Sequence, residues 1–216
     1  MSENPIHPEL MEGFPPTREL DLESLKALSH PLRVQIVNAL SVYGPATASG
    51  LAERFGESSG ATSYHLRQLE RHGFIREVEG KGTGRERWWE RVPGALNIGS
   101  SAAEATPAGR SAAQMIFREF RQNADRLLVD FTERGPELLP PEWIDTSEVS
   151  TANARLTLEQ MQTFVRAVNE AINRYVIPFR GQQVEGMRAI QIHFNAFPVL
   201  DAEAAISPSK PAGERS

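Results

Sequence analysis

Three glycines alternate with other residues in a basic stretch near the middle of the chain, and such a stretch can bind a phosphate. The sequence EGKGTGRERWW spans residues 79–89, with glycines at positions 80, 82 and 84. Glycine backbone amides can close around a phosphate, and Lys81 and Arg85 would add positive charge. The phosphate could belong to a bound nucleotide or to the backbone of a nucleic acid. The flanking sequence has to distinguish these ligands.

The spacing of these glycines disfavours a nucleotide. A dinucleotide fingerprint needs G-x-G-x-x-G between a strand and a helix, and a P-loop needs G-x-x-x-x-G-K-[ST] at the start of a helix. Here the spacing is G-x-G-x-G, and the residues that follow, RERWWERV, alternate as in a strand. Because FIREVE precedes the glycines, the pattern predicts a β-hairpin with a basic tip.

The composition excludes several other functions. The chain has 216 residues, a net charge of −5 and no cysteine, which excludes disulfides, thiolate metal sites and cysteine nucleophiles. No two of the five histidines have the i, i+4 spacing of a helical metal site. No apolar run approaches the roughly 20 residues that span a bilayer, and the N-terminus does not read as a secretion signal. We therefore expect a cytoplasmic protein without enzymatic activity, cofactor, metal or membrane partner.

Proline-rich and small polar stretches divide the chain into two folded units. We expect disordered tails at 1–19 and 201–216, because neither has the apolar pattern of a folded element. A linker is predicted at 93–108. The folded units are then 20–92 and 109–200.

Two short helices in the first unit form a candidate helix-turn-helix. They are TASGLAERFG and ESSGATSYHLRQLERHG, each with a hydroxyl residue at its start and a glycine at its end. An earlier helix is predicted to begin with Ser29 as its cap and Pro31 in its first turn. On the last of these helices, Thr62, Leu66 and Leu69 share one face and would pack inward. The opposite face is polar and basic, and it comprises Gly60, Ser63, Tyr64, Arg67, Gln68 and Arg71.

A helix-turn-helix that leads directly into a hairpin with a basic tip is the arrangement of a winged helix. In that arrangement the second helix enters the major groove, and the hairpin contacts the DNA backbone or the minor groove. The segments LKALSHPLRVQIVNAL, ATASGLAERFG, SSGATSYHLRQLERHGFI and GTGRERWW resemble the winged-helix domain of ArsR-type bacterial transcription regulators. The resemblance covers about a third of the chain, and SYHLRQLERHGFI is its most specific part.

By position, the resemblance implies a recognition helix at 59–72 and a wing at 74–92. It implies DNA contact from the neighbourhood of Ser59, Ser63, Tyr64, His65 and Arg67. We assign base contacts to Arg67 and Gln68, with Arg71 on the same face, and we assign backbone contacts to Lys81, Arg85 and Arg87 in the wing. The chain departs from metal-sensing relatives, because it has neither cysteines nor paired histidine ligands.

The second unit is predicted to contain a long helix followed by a strand, a helix and a strand. The long helix, at about 109–134, has a broad apolar face and is our candidate for homodimerisation. The strands are predicted from alternation in 151–156 and in 187–196. A candidate effector pocket between the second helix and the sheet would be lined by Tyr175, Gln191, His193 and Asn195. We favour a solvated outer sheet face as the explanation of these residues, because antiparallel sheets commonly leave one face in water.

The sequence thus predicts a mainly α fold with α+β elements, in which a winged helix-turn-helix precedes a helix and a strand–helix–strand unit. The predicted function is sequence-specific binding of duplex DNA by a homodimeric transcription regulator. Two alternatives remain, a winged helix that serves protein–protein contacts and a regulator that responds to an unknown small molecule bound in 109–200. Neither the operator nor the sign of regulation follows from the sequence.

Overall fold

A computed structural model describes residues 17–82, 86–99, 105–179, 182 and 184–200. The elements of the first part are β1 (Arg18–Glu19), α1 (Leu22–Leu28), α2 (Pro31–Tyr43), β2 (Ala46–Thr47), α3 (Ala48–Phe55), α4 (Ser59–Arg71), β3 (Ile75–Glu77), β4 (Trp88–Arg91) and β5 (Leu96–Asn97). Those of the second part are α5 (Pro107–Leu138), α6 (Pro141–Thr146), α7 (Leu158–Tyr175) and a 3₁₀ turn (Ile177–Phe179).

Local signals set most helix ends. The hydroxyls of Thr47 and Ser58 accept hydrogen bonds from the backbone amides of Gly50 and Ala61, so both residues cap their helices as N-cap residues do. Gly56 ends α3 in the left-handed conformation, at a φ of 66°.

The prediction that Ser29 caps α2 is wrong. The backbone amide of Ser29 donates to the carbonyl of Leu25, so this residue closes α1 instead. Nδ1 of His30 accepts from the amide of Leu32 and takes the N-cap position, while Pro31 occupies the first turn as expected.

The hairpin predicted around the glycines is present as β3 and β4. These strands are antiparallel, with Glu77 opposite Trp89, and β2 pairs on the other side of β4 to give the order β2-β4-β3. A separate parallel pair joins β1 to β5. The adjacent tryptophans of β4 point to opposite faces of the strand, and the alternation alone does not say which of them is inside. In the structure Trp89 is buried in the core and Trp88 is only partly covered.

One hydrophobic core joins the helices of the first part to the start of α5. Leu25, Ile36, Leu66 and Trp89 belong to it, and Ile116 of α5 is fully buried in the same cluster. Helix α5 packs on α1 and α2 at this end. The beginning of the long helix therefore completes the core of the helix-turn-helix part, and the residues of α5 that follow Phe120 do not extend that core.

The mainly α fold with a winged helix-turn-helix and additional elements is confirmed. The strands predicted in 151–156 and 187–196 are wrong, because both segments lack strand pairing in the described residues. Alternation indicates that a segment can form a strand, but a strand needs a hydrogen-bonded neighbour. The later segment instead places the ring of Phe194 against that of Phe164 on α7.

The helix between those segments was predicted correctly. Thr157 and Gln160 form a capping box at the start of α7. Its apolar side chains are only partly covered, and Leu158 is exposed. Among the described helices, none combines the length and the low polarity that crossing a membrane requires.

Candidate nucleic-acid interface

The inner face of α4 fixes the orientation of the helix. Thr62, Leu66 and Leu69 are all buried, as their spacing predicts. The Thr62 hydroxyl donates to the carbonyl of Ser58 at 3.0 Å, so this buried polar group is satisfied within the helix. Because this face packs against the core, the opposite face of α4 must point outward.

The outer face of α4 carries the predicted DNA contacts. Ser59, Tyr64, Arg67 and Arg71 are exposed, while Ser63, His65 and Gln68 are partly covered. Within the described part of the chain, Arg67, Gln68 and Arg71 donate no side-chain hydrogen bond and form no ion pair, whereas several other arginines do. Arginine and glutamine side chains with free donors are suited to base edges and phosphates.

The N-terminus of α4 lies at the end of this face. The Ser58 hydroxyl satisfies the amide of Ala61 at 3.1 Å. The letters G-x-S-x-G occur here as GESSG, residues 56–60, which is the pattern of a hydrolase nucleophile elbow. That elbow connects a strand to a helix, whereas this segment connects α3 to α4 and uses its central serine as an N-cap. The segment therefore serves as the turn of the helix-turn-helix.

The wing holds its basic side chains in different ways. The ammonium of Lys81 lies 4.3 Å from the centre of the Trp88 ring, within the range of a cation–π contact. Nε of Arg87 lies 3.5 Å from a carboxylate oxygen of Glu77 across the hairpin. Both side chains are exposed, so such an ion pair is weak and can open for a phosphate. Arg85 lies outside the described residues.

Two glycines shape the described part of the wing. Gly80 and Gly82 have φ values of 72° and 104°, which L residues rarely adopt. A Cβ on Gly82 would lie 2.6 Å from the carbonyl oxygen of Glu86 and 2.9 Å from Trp88 Cδ1, whereas one on Gly80 would meet open space. Two glycines with positive φ thus lie in the connection between β3 and β4, as the hairpin interpretation predicts.

A cluster next to α4 contains a basic residue that sequence reasoning missed. The ring of His65 lies 4.3 Å from that of His30 and 5.2 Å from that of Tyr64, measured between centroids. Arg33, in the first turn of α2, influences both histidines electrostatically. Position in the sequence did not reveal this group, because α2 and α4 are brought together only by tertiary packing.

Burial and neighbouring charge weaken the basicity of this cluster. Burial lowers the pKa of His65 below its ordinary value, and His30 and Arg33 lower it further. Burial and the charge of Arg33 lower the pKa of His30 in the same direction. Glu57 opposes these shifts, as the smallest of the contributions. Both histidines therefore favour the neutral form.

The candidate effector residues do not surround an enclosed site. Gln191, His193 and Asn195 are exposed, and Tyr175 is two-thirds exposed. Tyr175 lines a shallow open groove on α7 with Arg174 and its neighbours, and the other three residues do not line it. The described residues of the second part form no sheet that could serve as one wall, so the effector site stays a prediction without a described cavity. No group of three or more histidine or acidic side chains in the described ranges is arranged to hold a metal.

Comparison with known proteins gives one family match and several similar structures. Residues 28–78 match the family described as a helix-turn-helix domain. None of the curated proteins compared with the chain is similar to it in sequence.

The similar structures include a possible transcriptional regulator for arsenical resistance, at 28% identity over 51% of this chain and 96% of that one, with a TM-score of 0.29. HlyU from Vibrio cholerae is 18% identical over 45% of this chain and 87% of its own, also with a TM-score of 0.29. YusO from Bacillus subtilis is 15% identical over 76% and 82%, with a TM-score of 0.31. These TM-scores are too low to support a conclusion about function. The family match and the observed hairpin together show that the chain contains a helix-turn-helix domain followed by a wing.

Proposed function

We propose that this protein is a sequence-specific DNA-binding transcription regulator of the ArsR type, which acts in the cytoplasm as a homodimer. The observation that supports this most strongly is the outer face of α4. It is exposed next to a basic wing, and its arginine and glutamine donors have no partner among the described residues. The ArsR type is proposed from the sequence resemblance.

In this proposal α4 enters the major groove. The guanidinium of Arg67 donates to acceptors such as N7 and O6 of guanine, and the amide of Gln68 can donate to N7 and accept from the N6 amino group of adenine. Ser59, Ser63 and Tyr64 contact phosphates or bases, and Arg71 contacts the backbone at the end of the helix. The partly covered His65 lies at the edge of the same surface.

The wing contributes sequence-independent affinity. Lys81, Arg85 and Arg87 contact the sugar–phosphate backbone, and such contacts position a protein on the duplex without reading its sequence. Arg87 exchanges its exposed pairing with Glu77 for a phosphate oxygen. This division of roles gives α4 the specificity and the wing much of the salt dependence.

Dimerisation is proposed through α5, over about 109–134. The beginning of this helix is buried in the core of its own chain, but later apolar side chains, such as those of Leu128 and Val129, remain exposed. A second copy that packs on this part would remove their apolar surface from water. Two recognition helices related by a twofold axis would then meet half-sites about one helical turn apart.

The test compares Arg67→Ala with Lys81→Ala by titration with an operator fragment, selected from random duplexes by the protein itself, at several salt concentrations. Arg67→Ala should weaken binding by about 1–3 kcal/mol and relax base preference at one position. Lys81→Ala should lower the slope of log K against log salt by about one with unchanged preference. Arg166→Ala on α7 is the matched control and should bind as the unmodified protein does.

Different outcomes contradict different parts of the proposal. Equal loss for operator and random DNA in Arg67→Ala would contradict its assignment to base contact. Failure of the unmodified protein to bind any duplex at low salt would contradict the DNA-binding function and favour a winged helix used for protein contacts. A monomer at all concentrations would contradict dimerisation through α5.

A further inference from the structure

The cluster formed by His30, Arg33 and His65 lies beside the proposed DNA-contacting face. His65 belongs to α4 itself, and its ring touches that of Tyr64, which is exposed on the outer face. Arg33 lies close enough to Tyr64 for the phenol to affect its pKa. The cluster therefore connects α2 to the edge of the surface that is proposed to meet DNA.

Two polar atoms of this cluster lack a partner. Nε of Arg33 and Nδ1 of His65 are both buried atoms without a hydrogen bond in the described structure. One terminal nitrogen of Arg33 makes only a 3.5 Å contact to the carbonyl of Lys26. Unsatisfied polar groups of this kind are costly to bury, so a bound acceptor at this position would be favourable.

The two histidines differ in their capacity to take a proton. Nδ1 of His30 accepts the amide of Leu32 as the cap of α2, so protonation at that atom would remove the cap. His65 makes no hydrogen bond through Nδ1 and can gain a proton without losing an intrachain bond. Protonation of His65 is opposed by burial first, and then by the charges of His30 and Arg33.

We propose that Arg33 contacts a phosphate of the DNA backbone and that the imidazole of His65 takes up one proton from solvent in the same binding step. This inference rests on the proposed function and adds a contact and a pH dependence to it. Burial is the main reason that His65 is neutral in the free protein, and repulsion by His30 and Arg33 adds to it. The phosphate carries a negative charge that offsets this repulsion and attracts the protonated imidazole. Tyr64, His30 and Glu57 are the other titratable groups around this position. Because Glu57 only partly offsets the charge of Arg33, DNA supplies the decisive anion.

Linkage fixes the sign of the effect. A group that binds a proton more tightly in the complex than in the free protein makes affinity rise as pH falls between its two pKa values. For one proton, affinity should change by as much as about tenfold per pH unit, in the range between the lowered pKa of His65 in the free protein and its higher pKa in the complex. Phosphate contacts do not require a specific sequence, so a random duplex of about 30 base pairs is a suitable probe.

The experiment measures binding of that duplex by fluorescence anisotropy from about pH 5 to pH 8, the range in which histidines titrate, at constant ionic strength. The unmodified protein should take up close to one proton, and calorimetry in two buffers of different ionisation enthalpy should give the same number. His65→Gln should lose the pH dependence. His72→Gln, which removes a histidine at the end of α4 outside the cluster, should keep it. Arg33→Gln should lower the salt slope by about one.

Three results would overturn this inference while leaving DNA binding intact. The first is binding of the unmodified protein that does not depend on pH, and the second is a pH dependence that survives in His65→Gln. The third is a pH dependence that disappears only in His30→Asn, a variant in which asparagine keeps an acceptor for the cap of α2. Calorimetry on the unmodified protein tests proton uptake even if a variant folds poorly, and the absence of uptake would overturn the inference. Failure to bind the duplex at any pH would instead overturn the proposed function together with this inference.

Discussion

Replacing Gly82 by alanine tests whether the wing has the tight turn that positions Lys81. The φ of Gly82 is 104°, and an added Cβ would lie 2.6 Å from the carbonyl oxygen of Glu86. That oxygen belongs to the backbone, so the contact cannot be relieved by a change of rotamer. Gly80→Ala is the matched control, because its φ is also positive while its Cβ would meet nothing within 4 Å.

The two substitutions differ by one physical effect. Alanine in a left-handed conformation costs roughly 1–2 kcal/mol, and both variants bear a cost of this kind. The close contact at Gly82 adds a penalty of the order found for overpacking, about 1–3 kcal/mol. We therefore expect Gly82→Ala to lower the free energy of unfolding by about 1–3 kcal/mol more than Gly80→Ala, unless the hairpin tip opens to relieve the contact.

Urea unfolding followed by far-ultraviolet circular dichroism measures the stability, and tryptophan emission reports an opened tip. Opening would separate the ammonium of Lys81 from the Trp88 ring, now 4.3 Å from its centre, and would expose the indole to water. In that case we expect the tryptophan emission of folded Gly82→Ala to shift to longer wavelength, with no such shift in Gly80→Ala. The loss of stability in Gly82→Ala should then be smaller. Equal stability of the two variants together with identical emission would refute the geometry of this turn.

The other predictions concern the core and the histidine cluster. Ile116→Ala should destabilise the folded chain by about 2–5 kcal/mol because Ile116 is fully buried, whereas Leu128→Ala, at a position 38% exposed, should weaken self-association more than it weakens folding. Urea unfolding and sedimentation measure these effects, and equal stability losses would contradict the two roles of α5. Without DNA, stability should fall as pH drops through about 6.5, because the unfolded chain then binds protons that neutral His30 and His65 exclude. A flatter pH profile in His65→Gln is expected, and an unchanged profile would show that another group titrates.

Local sequence predicted the helix-turn-helix because its signals lie within a few residues of one another. Thr47 and Ser58 cap helices whose apolar spacing defines their inner faces. The wing was equally accessible, since two alternating runs flank a glycine-rich turn. Alternation alone shows that Trp88 and Trp89 face opposite sides, but only the pairing of β4 with β2 and its packing on α2 decide that Trp89 points inward.

Features that depend on distant residues were missed or misassigned. Arg33 and His65 come together because α2 packs on α4, which no spacing in the sequence reveals. The capping of α2 by His30 required knowing that α1 ends at Leu28 and uses the next residue as its own cap. The prediction of strands in the second unit was wrong for the opposite reason. The local pattern there favours strands, but the described structure provides no neighbouring strand with which they could pair.

The position of α5 links the proposed dimer interface to the proposed DNA-contacting face. Its first turns pack on α2, and α2 carries Arg33 next to His65 on α4. Cores are close-packed, so a shift of α5 on α2 cannot be absorbed without moving the residues that α2 places beside α4. Pairing of two chains through the exposed part of α5 would thus favour the positions of α5 on α2 that are compatible with the dimer. The position of α5 on α2 also affects where Arg33 lies relative to a backbone phosphate. We therefore expect dimerisation and phosphate contact to be energetically coupled.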